Sequence, residues 1–249
     1  MPDLQFHTLR FDSLPSTNLE AARRAQEGAP EGLCIVASEQ TAGRGRLGRQ
    51  WVSPRNAGIY CSTLLRPQFD PSSWPLITLM AAIVVNEALW ETCALTTDIK
   101  WPNDILYEEK KLCGILAETV ETSTGRAVVV GIGINLTNDS FPPELAATAT
   151  SVSVATGSPP NLEDVLSKLQ QCFVVWYHRL NQPTGAGDII RAWSDHSSYA
   201  DGKKIMIRDA DTEFCGTTRG ITVDGALKVE SETGEIKIFR AGDVSLRSG

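Results

Sequence analysis

Three apolar stretches in the middle of the chain are separated by breaks of only a few residues, and this spacing constrains the fold more than any other feature. The stretches are TDIKWPNDILY (97–107), KLCGILAETV (111–120) and RAVVVGIGINL (126–136). The breaks, around YEEKK and ETSTGR, are rich in turn-forming residues and short enough for antiparallel hairpins. The sequence therefore predicts three successive antiparallel strands in one sheet.

Helical patterns flank these strands. Residues 15–28 begin with polar capping residues, and residues 161–180 repeat apolar side chains every three to four positions behind the predicted cap Asn161. Residues 71–91, with a serine cap, an early Pro75 and a long apolar run, are typical of a mostly buried helix. Two more strands are predicted at 33–39 and 58–65, and a further helix at 187–197. Together these elements predict an α+β fold, in which helices pack on a mixed, mostly antiparallel sheet.

The pattern of apolar and turn-forming residues changes after Tyr199. From Lys203 onward, short alternating strands are broken by Asp-Gly and Thr-Gly turns, without a helical period. This pattern predicts a small all-β barrel. We therefore divide the chain into residues 1–199 and residues 200–249.

Composition excludes several classes of protein. With 42% hydrophobic and 21% charged residues, the chain is typical of a soluble globular protein. The N-terminus has no apolar core of signal-peptide length and no later segment approaches a membrane span, so we expect a cytoplasmic protein without a membrane partner. A net charge of −7 argues against nucleic acid as a partner. The six cysteines include no C-x-x-C pair, and no metal site is predicted.

The segment AGRGRLGR (42–49) contains the glycine spacing of a dinucleotide-binding turn, Gly43-x-Gly45-x-x-Gly48. That turn requires a helix directly after it, because the helix N-terminus receives the pyrophosphate. Here Pro54, Asn56 and Gly58 indicate a continuing loop instead. The segment, called the arginine loop below (residues 43–49), carries three arginines and no acidic residue.

Three other segments are unusually polar for a predicted sheet. KWPNDIL (100–106) groups four polar or aromatic residues around a proline, Lys111 enters an apolar strand, and Asn135 ends another. Each has an ordinary explanation, as an edge lysine, a turn asparagine or a solvated loop. Because they fall on neighbouring elements of one sheet, we interpret them together as a binding site.

The motifs STN, EQTAGRGRLGRQW, KWPNDIL, KLCGIL and GIGINL, in this order, resemble those of the catalytic domain of biotin protein ligases, which attach biotin to a carboxylase carrier domain. The resemblance runs from about Ser16 to Asn135 by motif and through the terminal strands by pattern. It implies a catalytic domain like that of class II aminoacyl-tRNA synthetases, followed by an SH3-like barrel. It also implies biotin and ATP as substrates, Mg²⁺ arriving with ATP rather than in a protein cage, and the biotin carboxyl carrier protein as acceptor.

The resemblance also assigns roles to individual residues. Arg46 and Lys111 are the expected catalytic residues. The residues expected to contact biotin or lie beside it are Ser16, Thr17, Asn18, Gln40, Arg44, Gly45, Arg46, Lys111 and Gly114. The residues expected at the nucleotide are Arg46, Arg49, Trp51, Lys100, Asn103, Asp104, Lys111 and Asn135.

The implied chemistry explains the residue types. A biotin carboxylate must approach the α-phosphate of ATP, and two like charges about 4 Å apart repel by on the order of 4 kcal/mol at an effective dielectric near 20. Fixed arginine and lysine side chains offset this repulsion, and no protein nucleophile is needed. We expect the arginine loop to be mobile without ligand and ordered over the adenylate. The residues predicted as the apolar wall of the pocket or its backing, with a core role as the alternative, are Trp101, Leu112, Ile115 and Leu116.

Alternative functions remain open from the sequence. A lipoate or octanoate ligase or transferase would share the fold type. A biotin-sensing regulator would carry an N-terminal DNA-binding domain, for which the motifs beginning at Ser16 leave no room. A biotin acceptor would place methionine beside the modified lysine, a pattern that this sequence lacks. Exposed sheet edges make a homodimer a reasonable expectation.

Overall fold

The chain is built on a seven-stranded sheet in a computed structural model that describes residues 4–137, 141–209 and 212–246. The spatial order is β1-β2-β3-β7-β6-β5-β4; only β1 and β2 pair in parallel, and the other neighbours are antiparallel. The predicted mixed, mostly antiparallel sheet is confirmed. The strands are β1 (His7–Phe11), β2 (Leu33–Ala37), β3 (Gly58–Leu65), β4 (Asp98–Lys100), β5 (Asp104–Tyr107), β6 (Lys110–Thr122) and β7 (Gly125–Asn135).

The predicted strand over residues 97–107 is wrong in one respect, because it is two strands, β4 and β5. They form a tight hairpin in which Lys100 pairs with Asp104. Pro102 has no N–H for a sheet hydrogen bond, and a proline inside a central strand is therefore disfavoured. The break places the lysine and the aspartate of KWPND opposite each other at the end of the hairpin.

The described residues form five α-helices, and the second of them is the centre of the core. Its buried face runs from Leu76 to Leu89 and packs against the fourth and fifth helices as well as the sheet. It begins at Pro75 with Trp74 at the N-cap, so the predicted serine cap is wrong; Ser72 and Ser73 lie in a preceding 3₁₀ turn. The helices are α1 (Thr17–Gln26), α2 (Pro75–Cys93), α3 (Val152–Thr156), α4 (Leu162–Leu180) and α5 (Gly185–Asp195).

By length and composition alone α2 is apolar enough to cross a membrane, which the sequence interpretation overlooked. In the fold, 67% of its apolar window is buried inside the protein. A core helix surrounded on all sides is hydrophobic all round for that reason. Burial against the sheet and the other helices therefore accounts for its composition.

The C-terminal region is a five-stranded antiparallel sheet, which confirms its predicted β-rich character. The order is β11-β10-β9-β8-β12. Ile205, Ile207 and Leu227 belong to the same buried cluster as α2, so one hydrophobic core joins both sheets. The division of the chain at residue 200 stays a prediction. The strands are β8 (Asp201–Asp209), β9 (Thr212–Ile221), β10 (Leu227–Glu230), β11 (Ile236–Phe239) and β12 (Asp243–Leu246).

A buried hydrogen bond ties the two sheets together. The indole Nε1 of Trp101 donates to the carbonyl oxygen of Gly225 at 2.9 Å, and Trp101 is only 2% exposed. Gly225 has a φ of +82°, and a Cβ atom there would lie 3.1 Å from a methyl carbon of Leu79 on α2. Glycine thus permits both the turn and its close approach to the core helix.

Replacing Trp101 with phenylalanine tests this junction. The change Trp101→Phe leaves the buried Gly225 carbonyl without its donor and opens a cavity, so we expect the free energy of unfolding to fall by about 2 kcal/mol or more. Urea unfolding followed by circular dichroism measures the effect. The matched control is Trp90→Phe on α2, where the side chain is 58% exposed. Equal unfolding midpoints for the two variants would contradict this account of the junction.

Candidate functional site

The predicted site residues line two adjoining pockets, which share Gln50, Trp51, Asp104 and Lys111. One face of the sheet forms their floor. On this face Asp104, Gly114 and Gly133 are neighbours across β5, β6 and β7. The second pocket contains the predicted residues Lys100 and Asn135. The first pocket contains Ser16, Thr17, Asn18, Gln40, Arg44, Gly45, Arg46, Arg49, Asn103 and Gly114.

Glycines in β6 and β7 allow larger side chains to lie flat on the sheet. A Cβ atom at Gly133 would come 2.4 Å from Trp51 Nε1, and one at Gly131 would come 2.1 Å from Asn18 Oδ1. At either position a side chain larger than hydrogen would displace the group that lies against the glycine. Sequence reasoning singled out Gly114 and missed these two, although alternating glycines in the strand motif GIGIN indicate close approach by another group.

The first pocket has a polar end at the start of α1. The oxygen Oε1 of Gln40 accepts from the backbone N–H of Thr17 at 2.8 Å and from its hydroxyl at 3.1 Å. Ser62, fully buried and not predicted, lies 2.7 Å from the Thr17 hydroxyl. Ser16 is the N-cap of α1, but its hydroxyl makes no capping hydrogen bond among the described residues. A ligand in this corner would meet several hydroxyl and amide groups that the protein holds in fixed positions.

The arginine loop closes over this pocket as a short hairpin. The N–H of Gly45 donates to the carbonyl of Arg49 at 2.7 Å, and that of Trp51 donates to the carbonyl of Gly43 at 3.0 Å. Between them lies a single 3₁₀ turn, Arg46–Gly48, and no helix of the described chain opens there. The arrangement lacks the helix N-terminus of a dinucleotide-binding turn, as predicted. Ordering of the loop by ligand stays a prediction.

Each arginine of the loop has a different partner. Arg46 donates to Asn103 Oδ1 at 3.0 Å, and Asn103 donates in turn to the carbonyl of Ile115 at 2.9 Å. Arg44 forms an ion pair with Glu118 on β6. Arg49 pairs with Asp243 at the start of β12, a residue that sequence reasoning missed because it lies 194 positions away. The C-terminal sheet thus contributes a side chain to the first pocket.

Positive charge is concentrated where the two pockets meet. The ammonium group of Lys111 lies 2.6 Å from Asp104 Oδ1 and 5.5 Å from the centre of the Trp51 ring. Burial lowers the pKa of Lys100, opposed by the charge of Asp104 and assisted by that of Lys111. Burial also lowers the pKa of Arg46. Desolvated cations of this kind gain most from an anionic ligand, which restores the lost charge stabilisation.

The second pocket is bounded by Trp51 and by a segment that pairs with β6. The N–H of Lys111 donates to the carbonyl of Thr148 at 2.8 Å, which places residues 147–149 along the pocket. Asn135 donates to the carbonyl of Thr150 at 3.0 Å. The Nε1 atom of Trp51 is buried without a hydrogen-bond partner among the described residues. Buried donors of this kind normally find a partner, so the arrangement leaves one bond for a ligand or water to make.

The four residues predicted to form the apolar wall, its backing or the core divide between these roles. Ile115 and Leu116 line the first pocket. Trp101 and Leu112 are 2% and 0% exposed and belong to the core. Leu112 leaves the pocket face because the pairing of β5 with β6 shifts register there, with Ile105 opposite Cys113 and Leu106 opposite Lys111, and such a bulge interrupts the alternation of side chains.

Gly133→Ala tests the seating of Trp51. The added methyl group would overlap the indole, so we expect the ring to leave the sheet and the amides of residues 43–52 to exchange hydrogen faster, with little change in secondary structure. Hydrogen–deuterium exchange by mass spectrometry measures this. The control is Gly187→Ala in α5, where an added Cβ meets nothing within 4 Å. Identical exchange in the two variants would show that the glycine does not seat the ring.

Comparison with known proteins connects this geometry to one family. Residues 8–135 match the Biotin/lipoate A/B protein ligase family, and residues 202–247 match the Biotin protein ligase C terminal domain. The chain is 38% identical to the bifunctional ligase/repressor BirA of Bacillus subtilis, over 96% of this chain and 74% of that one. It is 37% identical to the biotin–[acetyl-CoA-carboxylase] ligase of Paracoccus denitrificans, over 92% of this chain and 96% of that one.

A solved structure agrees with these relatives in fold. The biotin protein ligase of Aquifex aeolicus in complex with biotin and ATP superposes with a TM-score of 0.84 at 29% identity, covering 98% of this chain and 99% of that chain. The match spans the seven-stranded sheet, the helices and the C-terminal strands together. With two family models, close relatives and this structure in agreement, the chain belongs to the biotin protein ligase family.

Proposed function

We propose that the first pocket binds biotin, that the second binds ATP, and that the protein transfers biotin to a carrier-domain lysine through biotinyl-5′-AMP. The observation that carries the proposal is the meeting of the two pockets at Lys111. A carboxylate entering from the first pocket and an α-phosphate entering from the second would both lie against this ammonium group. The relatives and solved complexes named for biotin, and for biotin with ATP, support the same chemistry.

In the first half-reaction a biotin carboxylate oxygen attacks the α-phosphorus of ATP, and the bond to pyrophosphate breaks. Negative charge accumulates between the two reactants, and Lys111 and Arg46 stabilise it electrostatically. Asp104, 2.6 Å from Lys111, orients the ammonium group before the ligands arrive. Magnesium would enter with the triphosphate and keep water and phosphate ligands, since the described residues contain no group of three or more His, Cys, Asp or Glu side chains that could form a cage.

In the second half-reaction the amine of an acceptor lysine attacks the acyl carbon, AMP leaves, and the amine loses a proton as the amide forms. The mixed anhydride must meanwhile be protected from water. Ile115 and Leu116 supply apolar surface beside it, and the arginine loop covers the opening. The acceptor that this chemistry requires is the biotin carboxyl carrier domain of acetyl-CoA carboxylase or of a related carboxylase.

The function is tested by incubating the protein with ATP, biotin and a purified carrier domain and detecting biotinylated lysine by mass spectrometry. We expect transfer with biotin and none when lipoate and a lipoyl domain replace biotin and its acceptor. Transfer of lipoate alone would overturn the proposal. Formation of biotinyl-5′-AMP without a carrier, measured as released pyrophosphate, separates the two half-reactions.

Removing either central cation should abolish most of the first half-reaction. We expect Arg46→Ala and Lys111→Ala to slow adenylate formation by about 100-fold or more, the scale on which a lost transition-state donor acts. Single-turnover pyrophosphate release measures the rate. The control is Lys110→Ala, which removes the exposed lysine next to Lys111 on the same strand. Comparable losses in the control would mean that net charge, rather than position, governs the rate.

The lowered pKa of Lys100 predicts a pH dependence of ATP affinity. Phosphate binds the protonated lysine better, so affinity is fully present below the pKa of the free protein and falls as pH rises through it. Calorimetric Kd values between roughly pH 7 and pH 10 measure this. In Lys100→Arg the guanidinium remains charged, and the alkaline fall should shrink. Parallel curves for both proteins would rule out Lys100 as the titrating group.

We further propose a cytoplasmic enzyme that forms a homodimer and does not bind nucleic acid. The stretch of β6 from Leu116 to Thr122 has a strand neighbour only on its β7 side in the described chain, which leaves an edge for a second copy. A net charge of −7 disfavours contact with phosphodiester backbones. Sedimentation equilibrium with and without biotin and ATP tests the dimer.

A further inference from the structure

A continuous series of hydrogen bonds and one ion pair connects the arginine loop to the polar end of the first pocket and returns to the backbone after the loop. It begins with the Arg44 guanidinium and ends when Ser53, which accepts from Gln40 Nε2 at 2.8 Å, donates to the carbonyl of Trp51 at 3.2 Å. In order, the groups are Arg44, Glu118, Asn18, Ser62, Thr17, Gln40, Ser53 and Trp51, with the backbone N–H of Thr17 making the bond to Gln40.

Glu118 connects the arginine loop to this series of hydrogen bonds. The motifs that resemble those of biotin protein ligases assign no role to it. Its Oε1 atom lies 3.0 Å from Arg44 Nη2, and its Oε2 atom accepts from Asn18 Nδ2 at 2.9 Å. On β6 it lies on the same face as Gly114 and Leu116, because alternate residues of a strand share a face. One carboxylate therefore contacts both the loop and the polar corner of the pocket.

The Asn18 side chain is fully engaged inside the protein. Its Nδ2 group donates to the carbonyl of Leu116 at 3.2 Å as well as to Glu118, and its Oδ1 atom lies 2.6 Å from the Ser62 hydroxyl. The close approach to Gly131 holds the amide from below. Asn18 thus lines the first pocket with its side chain held in one orientation, and its hydrogen bond positions the Glu118 carboxylate.

We propose that Glu118 is a positioning residue that holds Arg44 over the first pocket, so that retention of the reaction intermediate depends on this ion pair. The inference rests on the proposed function, because the intermediate retained is biotinyl-5′-AMP. Glu118 contacts the pocket residues Arg44 and Asn18 and lies several residues after Lys111 along β6, so it acts on how long the arginine loop stays closed. It does not act on the rate of adenylate formation.

Glu118→Gln removes the charge but keeps an oxygen that accepts from Asn18. We expect biotinyl-5′-AMP to dissociate about fivefold faster, the scale of a partly exposed ion pair, while its rate of formation changes less than about twofold. Rapid filtration of enzyme loaded with radiolabelled biotin and ATP measures dissociation. Glu121→Gln, an exposed glutamate farther along the same strand, is the matched control and should behave like the unmodified protein.

A double-mutant cycle with Arg44→Ala separates this role from a structural one. Once Arg44 is absent, adding Glu118→Gln should change the dissociation rate by less than about 1.5-fold, because the two residues act as one pair. A further fivefold increase in that background, or no effect of Glu118→Gln alone, would overturn the inference. Failure of the unmodified protein to form any adenylate would refute the proposed function itself, and the inference with it.

Discussion

Desolvated positive charge at the junction of the two pockets is the constraint on which the site depends. Burial lowers the pKa of both Lys100 and Arg46, which means that the folded chain holds these cations at a cost in solvation. The negative charge of Asp104 offsets part of that cost, because it raises the pKa of both cations. An anion placed among these groups offsets more, and two anions can be held together there although they repel each other in water. Affinity for the two reactants and catalysis of adenylate formation thus have the same electrostatic origin.

Backbone geometry sets up this charge distribution. The break between β4 and β5 turns Lys100 and Asp104 toward the same end of a hairpin, and it frees Asn103 to act as a connector. The amide of Asn103 is anchored to the carbonyl of Ile115, so its oxygen is directed at Arg46. An unbroken strand in this place would spread these polar groups over both faces of the sheet. The proline of KWPND is therefore a structural requirement of the site as well as part of a motif.

Local patterns in the sequence predicted the β6–β7 hairpin and the helices α1, α2, α4 and α5, because periodicity and turn chemistry are local properties; the short helix α3 was missed. The residues that line both pockets were predicted from the motifs that resemble those of biotin protein ligases. Strand β1 was missed, since its half-exposed residues show no clean alternation. The long-range partners were missed as well: Glu118 meets Arg44 across 74 positions and Asp243 meets Arg49 across 194. Such pairs depend on how finished elements pack, and a single sequence carries no signal for them. Gly131 and Gly133 were also missed, but here the sequence did carry a local signal, because glycines alternate in the strand motif GIGIN.

The long-range pairs also explain how a loop can be placed over the pocket without being locked there. Arg44 is held by the main sheet through Glu118, and Arg49 is held by the C-terminal sheet through Asp243. Both ion pairs are partly exposed, and such pairs are worth only about 0–1 kcal/mol each. The flanking glycines lower the steric cost of opening. Weak contacts at both ends of this segment fit the predicted behaviour of the loop, which is to close over a water-sensitive anhydride and to open again for an acceptor lysine. The C-terminal sheet, joined to the main core at Trp101, supplies a rigid base for one of those contacts.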